Sequence, residues 1–346
     1  MYWYFATGRK VRVRVSSYGY GISLGPWGAR FHIGSFWNED HKTAAQTKQE
    51  LHDRAVRMRR LAKEQRWQEL YTAINNIYDL HQTTYYQIAP PKQRTVYIAP
   101  FEEFERKAIR EAKEGVGFFD FFGKHTAKRR GKAQAKIDYE QAQQNAKEQS
   151  RAAYQEDVRI WNNLVLNDPE TVVDMVNAGF QMYGTSSLAV GAQEKVLYIV
   201  VQVPTLDTIP DANPGITAAG NYSIRQMTAK DKNHIYQHLV CGTLMLSVKQ
   251  AFSRAPNIEY VRAIVVREKA PDAYGNRRFE ALLGYATSKT RLTGILWGTA
   301  SSPDIINDTA IRVAGKTKAN YEFVPLDPQK NKDIGEVLGL IDYQDD

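Results

Sequence analysis

The chain contains a single cysteine, Cys241, among its 346 residues. One thiol cannot form an internal disulfide, so nothing in the fold can depend on an oxidising compartment. No stretch approaches the roughly 20 apolar residues that a membrane-spanning helix needs. The apolar run at the N-terminus is short and precedes its cations, unlike the hydrophobic region of a signal peptide. These absences predict a cytoplasmic protein.

Acidic residues are missing from two segments of a chain whose net charge is +8. Residues 1–37 contain five cations and no acid, and residues 124–136 contain six cations in thirteen positions. Such clustering favours a polyanionic partner, and a solvated helix surface is the alternative. We therefore predict a nucleic-acid-binding cluster that consists of Lys124, Lys128, Arg129, Arg130, Lys132 and Lys136.

The sequence also lacks the common phosphate-binding motifs. It has no Walker loop and no dinucleotide fingerprint that opens a helix after a strand. The glycines between residues 19 and 28 alternate with strand residues and precede no helix, which is typical of turns. We therefore predict no catalytic residue and no cofactor, and the protein is expected not to be an enzyme.

Apolar and polar residues alternate with period two between residues 10 and 34, which predicts a three-stranded meander within a segment 1–37. A meander of this size is not stable alone. Its exposed edges favour association with other copies, and packing against its own helices is the alternative. The predicted self-association residues are Val11, Val13, Tyr20, Ile22, Trp27 and Phe31.

Helical periodicity dominates residues 38–185. Helices are predicted over about 40–80, from Phe101 and over about 125–163, with a proline-rich linker at 88–100. A further helix begins with Asp168 as N-cap and Pro169 in its first turn. This middle region is predicted to form a basic helical hairpin or stalk.

Strands and helices alternate in residues 190–346, which predicts an α/β sandwich domain and an overall fold class of α+β or α/β. The apolar, β-branched run 196–203 predicts a strand covered on both faces. A long amphipathic helix follows over about 230–254. The remaining predicted elements are strands at 259–267, 277–286 and 321–325, a short helix from Lys289 and a final helix at 332–341.

Two sets of residues offer metal-site alternatives. His234, His238 and Cys241 are spaced to share one side of a helix, but no further ligand lies near them in sequence, so no metal is predicted. A divergent metal-dependent nuclease of the restriction type would use Glu268 or Glu280, although neither lies in a Glu-x-Lys pattern. This nuclease is our alternative to a non-catalytic binding or scaffold protein.

Two regions carry a resemblance. Residues 10–34, with Arg-Val-Arg-Val-Ser and Gly-Pro-Trp-Gly-Ala-Arg, resemble a short bacterial domain of unknown function rich in Val, Ser and Gly. Residues about 160–325 are similar to the C-terminal region of uncharacterised bacterial proteins, sometimes found beside restriction-endonuclease domains. The matching stretches are 167–170, 203–210, 239–242 and 272–277. The resemblance implies an accessory role in nucleic-acid metabolism or phage defence. Apart from the resemblance, we expect a homo-oligomer that assembles through the β segment and a protein partner for the C-terminal domain.

Overall fold

The structure is a computed structural model that describes the backbone of residues 11–16, 19–24, 44–114, 120–327 and 330. Side chains are described for 48–114, 120, 122–327 and 330. The fold is mixed, with helices and β-sheets, as the sequence predicts. The chain divides into two compact units, residues 1–62 and 63–346. Within the described ranges, no helix is both long and apolar enough to cross a membrane.

The first unit contains an antiparallel pair of strands, β1 (Val11–Ser16) and β2 (Gly19–Leu24). Val13 lies opposite Ile22, and Val15 lies opposite Tyr20. These are the first two strands of the predicted meander. Its third strand, together with Trp27 and Phe31, falls outside the described residues. Helix α1 (Ala44–Asp79) begins in this unit and continues into the second.

In the second unit, α1 packs on a small hairpin that the sequence analysis did not predict. This hairpin consists of β5 (Ala212–Ile216) and β6 (Tyr222–Gln226). The indole N–H of Trp67 donates to the carbonyl of Gly215 at 2.9 Å, and the Trp67 ring lies 4.8 Å from that of Tyr222. Leu70 and Ile74, one and two turns further along α1, are buried.

Helices α2 (Phe101–Lys113) and α3 (Phe121–Val165) form a hairpin within the helical middle region. Its contacts run antiparallel, because Phe101 meets Tyr139 while Ala108 lies beside Gly131. A stripe of small residues on α3, which we call the small-residue stripe, lets the two backbones approach closely. It consists of Ala127, Gly131 and Ala135, and all three are buried.

Helix α4 (Pro169–Met182) begins as the sequence predicts. The Asp168 carboxylate accepts hydrogen bonds from the backbone N–H and the hydroxyl of Thr171. These bonds hold the pKa of Asp168 below its usual value. Val172, Val176 and Phe180 of α4 are buried in the core of the sheet, although our boundaries assigned this helix to the helical middle region.

The main sheet has five strands in the order β3–β4–β7–β8–β9. All neighbours are antiparallel except β4 and β7, which are parallel and are joined by helix α5 (Ala229–Arg254). A parallel pair requires such a crossover. The strand bounds are β3 Ser187–Gln193, β4 Val196–Val203, β7 Tyr260–Lys269, β8 Arg278–Ser288 and β9 Arg312–Ala314.

One face of this sheet carries the core. Leu197, Ile199, Val201 and Val203 of β4 are 0–1% exposed and pack with residues of α4, α5 and α6 (Ser302–Thr309). The alternate residues of β4 are only half-buried. Among the described residues, the helices pack on one face of β4 alone, and the predicted cover on its second face stays a prediction.

Short elements complete the second unit. Residues 290–292 form one 3₁₀ turn in place of the predicted helix from Lys289. Strands β10 (Lys316–Thr317) and β11 (Phe323–Val324) pair with each other, and β11 lies within the predicted strand at 321–325. The helix predicted at 332–341 lies outside the described residues.

We predict that Gly131→Ala destabilises the hairpin. An exposed helical Gly→Ala change stabilises by about 1 kcal/mol. A Cβ at Gly131, however, would lie 2.8 Å from the Cα of Ile109 and 2.9 Å from the carbonyl oxygen of Ala108. Backbone atoms cannot yield as side chains do, so we expect a net loss of about 1–2 kcal/mol in the free energy of unfolding by urea.

Ala133→Gly is the control for this prediction, because Ala133 is exposed on the same helix. It measures the intrinsic cost of glycine in α3 without any change in helix packing. If Gly131→Ala raised the free energy of unfolding by as much as Ala133→Gly lowers it, close packing at Gly131 would be disproved.

Candidate functional site

The predicted nucleic-acid-binding cluster lies in the N-terminal part of α3, within its first sixteen residues. Lys128, Arg129, Arg130, Lys132 and Lys136 are exposed, and Lys124 is half-buried. At 100° per residue, four of them occupy an arc of about 100° beside the small-residue stripe. We call these four the basic helix face: Lys128, Arg129, Lys132 and Lys136.

Two of these cations have acidic neighbours. Lys132 reaches Glu105 of α2 at 2.8 Å, and Lys136 lies 4.0 Å from Glu140. Lys128, Arg129 and Arg130 form no ion pair with any residue that the structure describes. Exposed pairs of this kind contribute about 0–1 kcal/mol, so they do not prevent Lys132 and Lys136 from contacting another anion.

The cluster lies far from the C-terminal end of α3. With a rise of about 1.5 Å per residue, the basic helix face is about 45–55 Å from the end of α3 at Val165. That end is tied to the core, since Leu164 is buried and Asn257 donates to the carbonyl of Val165 at 2.7 Å. The hairpin therefore presents the cations well away from the main sheet.

A second candidate surface is the face of the main sheet opposite the helices, which we call the open face. Its centre is a small apolar cluster of Ile264, Val266 and Ala281. Half-buried apolar side chains surround this centre: Val190, Tyr198, Val200, Ala314 and Leu326. None of these residues carries a signal in the sequence that predicts a site.

Two cross-strand rows shape a groove in the open face. One row consists of Tyr198, Arg262, Ala286 and Arg312. In this row the methyl group of Ala286 lies between the two arginines. The neighbouring row runs Val200, Ile264, Gly284, Ala314. Because Gly284 and Ala286 are small, a groove of about 460 Å³ forms there, also lined by Val196, Tyr260 and Ile311.

The residues of the predicted histidine pattern lie close together on α5. The rings of His234 and His238 are 4.8 Å apart, and His238 also packs edge-on against Tyr78 at 4.6 Å. Cys241 is buried in the core, and burial raises the pKa of its thiol to about 12. Among the residues that the structure describes, no group of three or more His, Cys, Asp or Glu could hold a metal ion.

His238 is almost fully buried, and its pKa is lowered to about 4. Burial is the largest cause, the neighbouring His234 and His81 add to it, and Asp304 opposes them. His81 is also buried, with its Nε2 at 2.9 Å from the carbonyl oxygen of Ala300. The Nδ1 atoms of His81 and His238 make no hydrogen bond within the described part of the chain.

Lys249 is a half-buried amine that the sequence analysis missed. Burial lowers its pKa to about 8. Its ammonium donates to the carbonyl of His81 at 2.9 Å and lies 4.1 Å from the centroid of the Trp297 ring. These contacts hold Lys249 against neighbouring elements and give it a structural role.

The carboxylates proposed for a nuclease are paired with cations. Glu280 is bound by Arg267 and lies 3.2 Å from Lys269. Burial raises the pKa of Glu280, but the hydrogen bonds from these two cations outweigh it and hold the pKa below its usual value. Glu268 lies 3.7 Å from Arg277. These pairs lie at the end of the β7–β8 ladder.

One five-residue stretch of the sequence, Gly21-Ile-Ser-Leu-Gly25, matches the Gly-x-Ser-x-Gly pattern of hydrolases. That motif needs its serine on a sharp turn from strand to helix. Ser23 instead lies within β2, opposite Arg12 of β1. The string therefore does not form a nucleophile elbow.

The predicted self-association residues are only partly within the described chain. Val11 and Val13 lie in β1, and Tyr20 and Ile22 lie in β2. Val13 lies opposite Ile22, whereas Val11 lies opposite Leu24 and Tyr20 lies opposite Val15. These positions alternate along both strands, so the backbone places all four predicted residues on one face of the pair.

Comparisons of this chain with protein-family models, with curated proteins and with solved structures find no match.

We predict that His238 makes stability depend on pH. Its pKa is about 4 in the folded chain and near the ordinary 6.5 when unfolded. The folded state therefore binds fewer protons, and stability is fully present above about pH 6.5 and falls as the pH drops towards 4. The loss attributable to His238 is up to about 3 kcal/mol, at about 1.4 kcal/mol per pKa unit.

The measurement is the free energy of unfolding by urea between pH 7.5 and 4. His238→Gln should flatten the curve in this window, even if lost packing lowers its stability at pH 7. His52→Gln, at an exposed position of α1, should leave the slope unchanged. Equal slopes for wild type and His238→Gln would contradict the prediction.

Proposed function

We propose that this protein is a non-catalytic, cytoplasmic scaffold that binds nucleic acid through the basic helix face. The single observation that carries the proposal is the run of six cations without an acid in residues 124–136, near the N-terminal end of α3. The basic helix face is exposed, and the small-residue stripe beside it is occupied by α2. The helix therefore has one side for packing and another for a polyanion.

The geometry suits contact with a phosphate backbone. Lys128, Lys132 and Lys136 repeat every four residues, which places them about 6 Å apart along the helix axis. Lysine and arginine on a straight helix can each neutralise a phosphate and release its counterions. Such contacts position a protein on nucleic acid without reading its sequence. We therefore propose binding without sequence preference.

The scaffold part of the proposal rests on the remaining elements. Within the described residues, β1 and β2 pair only with each other, and a second copy of the chain could extend an open strand edge, which favours a homo-oligomer. The role in phage defence or nucleic-acid metabolism rests on the resemblance alone. The alternative nuclease has no supporting observation among the described residues, because Glu268 and Glu280 are engaged by cations.

The experiment compares two charge-reversed double variants of α3. Lys128→Glu/Arg129→Glu changes the basic helix face, whereas Lys147→Glu/Arg151→Glu makes the same charge change at exposed positions further along the helix. Fluorescence anisotropy with a short DNA duplex and a short RNA, at several salt concentrations, gives the affinity and its salt dependence.

Removing two phosphate contacts should weaken binding by about tenfold or more and reduce the slope of log K against log salt by about 2. The Lys147/Arg151 variant should change both quantities far less. Circular dichroism establishes that both variants are folded. If the two variants bound equally well, or if wild type bound neither nucleic acid at low salt, the proposal would be wrong.

A further inference from the structure

The open face is where the described chain ends. The backbone N–H of Leu326 donates to the carbonyl of Ala281 at 2.8 Å, which attaches residue 326 to the outer side of β8. The Leu326 side chain packs against the apolar cluster at the centre of the open face. The described chain therefore reaches the open face at Leu326, five residues before residue 331.

The sequence of the segment that follows, residues 331–346, combines an apolar helix face with several acidic residues. Ile334, Val337, Leu338 and Ile341 have the i, i+3, i+4, i+7 spacing of one apolar helix face. The same sixteen residues contain five acids and one lysine. The acids are Asp333, Glu336, Asp342, Asp345 and Asp346.

The open face is complementary to this segment in both respects. Its apolar residues lie in the row of Val200 and Ile264, and its cations, Arg262 and Arg312, lie in the adjacent row. The lengths also agree, because sixteen residues span about 24 Å as a helix, and five strands are about 19 Å across.

We propose that residues 331–346 bind across the open face of the main sheet. The apolar stripe covers Val200, Ile264 and Gly284, and the acids lie towards Arg262 and Arg312. Attachment at Leu326 makes this binding intramolecular, with an effective concentration in the millimolar range, so the segment outcompetes weak partners in solution. This inference is independent of the proposed nucleic-acid binding.

The test uses the full chain and a matched pair of variants. Val337→Asp/Leu338→Asp places carboxylates in the apolar stripe, whereas Leu340→Asp adds one outside it. Hydroxyl-radical labelling followed by mass spectrometry reports the exposure of Tyr198 and Tyr260 on the open face. Tyr274, which is 91% exposed in the β7–β8 turn, is the internal reference.

We expect the double variant to label Tyr198 and Tyr260 severalfold faster than wild type, with Leu340→Asp close to wild type and Tyr274 constant. Equal labelling of Tyr198 and Tyr260 in all three proteins would overturn the proposal. Circular dichroism and sedimentation accompany each sample. The double variant could also label like wild type while sedimenting as a dimer. That result would assign the open face to a second copy of the chain and would also overturn the proposal.

A binding experiment keeps the proposal testable if the double variant fails to fold. A chain ending at Lys330 should bind a fluorescent peptide of residues 331–346, and Arg312→Glu should weaken that binding at least severalfold. Lys230→Glu, on the N-terminal turn of α5, should not weaken it. A folded shortened chain that does not bind the peptide, or that binds it equally well with Arg312→Glu, contradicts the proposal.

Discussion

The packing of α5 against one face of the main sheet is the constraint on which the second unit depends. Strands β4 and β7 are parallel neighbours, and parallel neighbours can be joined only by a crossover. Helix α5 provides that crossover and buries Val240, Leu244 and Val248 at 0% exposure against the strands. Helices α4 and α6 then extend the same layer. Most buried polar groups need a partner, and Ser302 of α6 has one because its hydroxyl donates to the carbonyl of His238.

Placing the described helices on one face leaves the opposite face with half-buried apolar residues. Large exposed apolar patches on proteins are commonly covered by another segment or partner, and this is the physical basis for the occupant proposed above. Small side chains at Gly284 and Ala286 deepen it, and arginines on neighbouring strands border it. The groove is thus a consequence of the layer arrangement and of two small residues on β8.

In the α2–α3 hairpin, small residues allow close packing, whereas on β8 they leave a groove. Ala127, Gly131 and Ala135 bring α2 and α3 together, and this close approach fixes which side of α3 remains available to solvent. The basic helix face follows from that choice, since its residues lie beside the stripe on the same turns. One stripe of small residues therefore determines both the packing and the display of charge.

Local patterns in the sequence determined the elements whose signals are contained within a few residues. The cap at Asp168, the length of α5 and the cationic run on α3 follow from side-chain chemistry and helical period alone. The β5–β6 hairpin and α6 were missed because short elements carry little periodicity. The open face could not be predicted, because Tyr198, Arg262, Ala286 and Arg312 are distant in sequence and become neighbours only through strand order. Which face of β4 is fully buried was likewise decided by the side on which the helices pack. The apolar run 196–203 could not predict that side, because it has apolar residues on both faces of the strand.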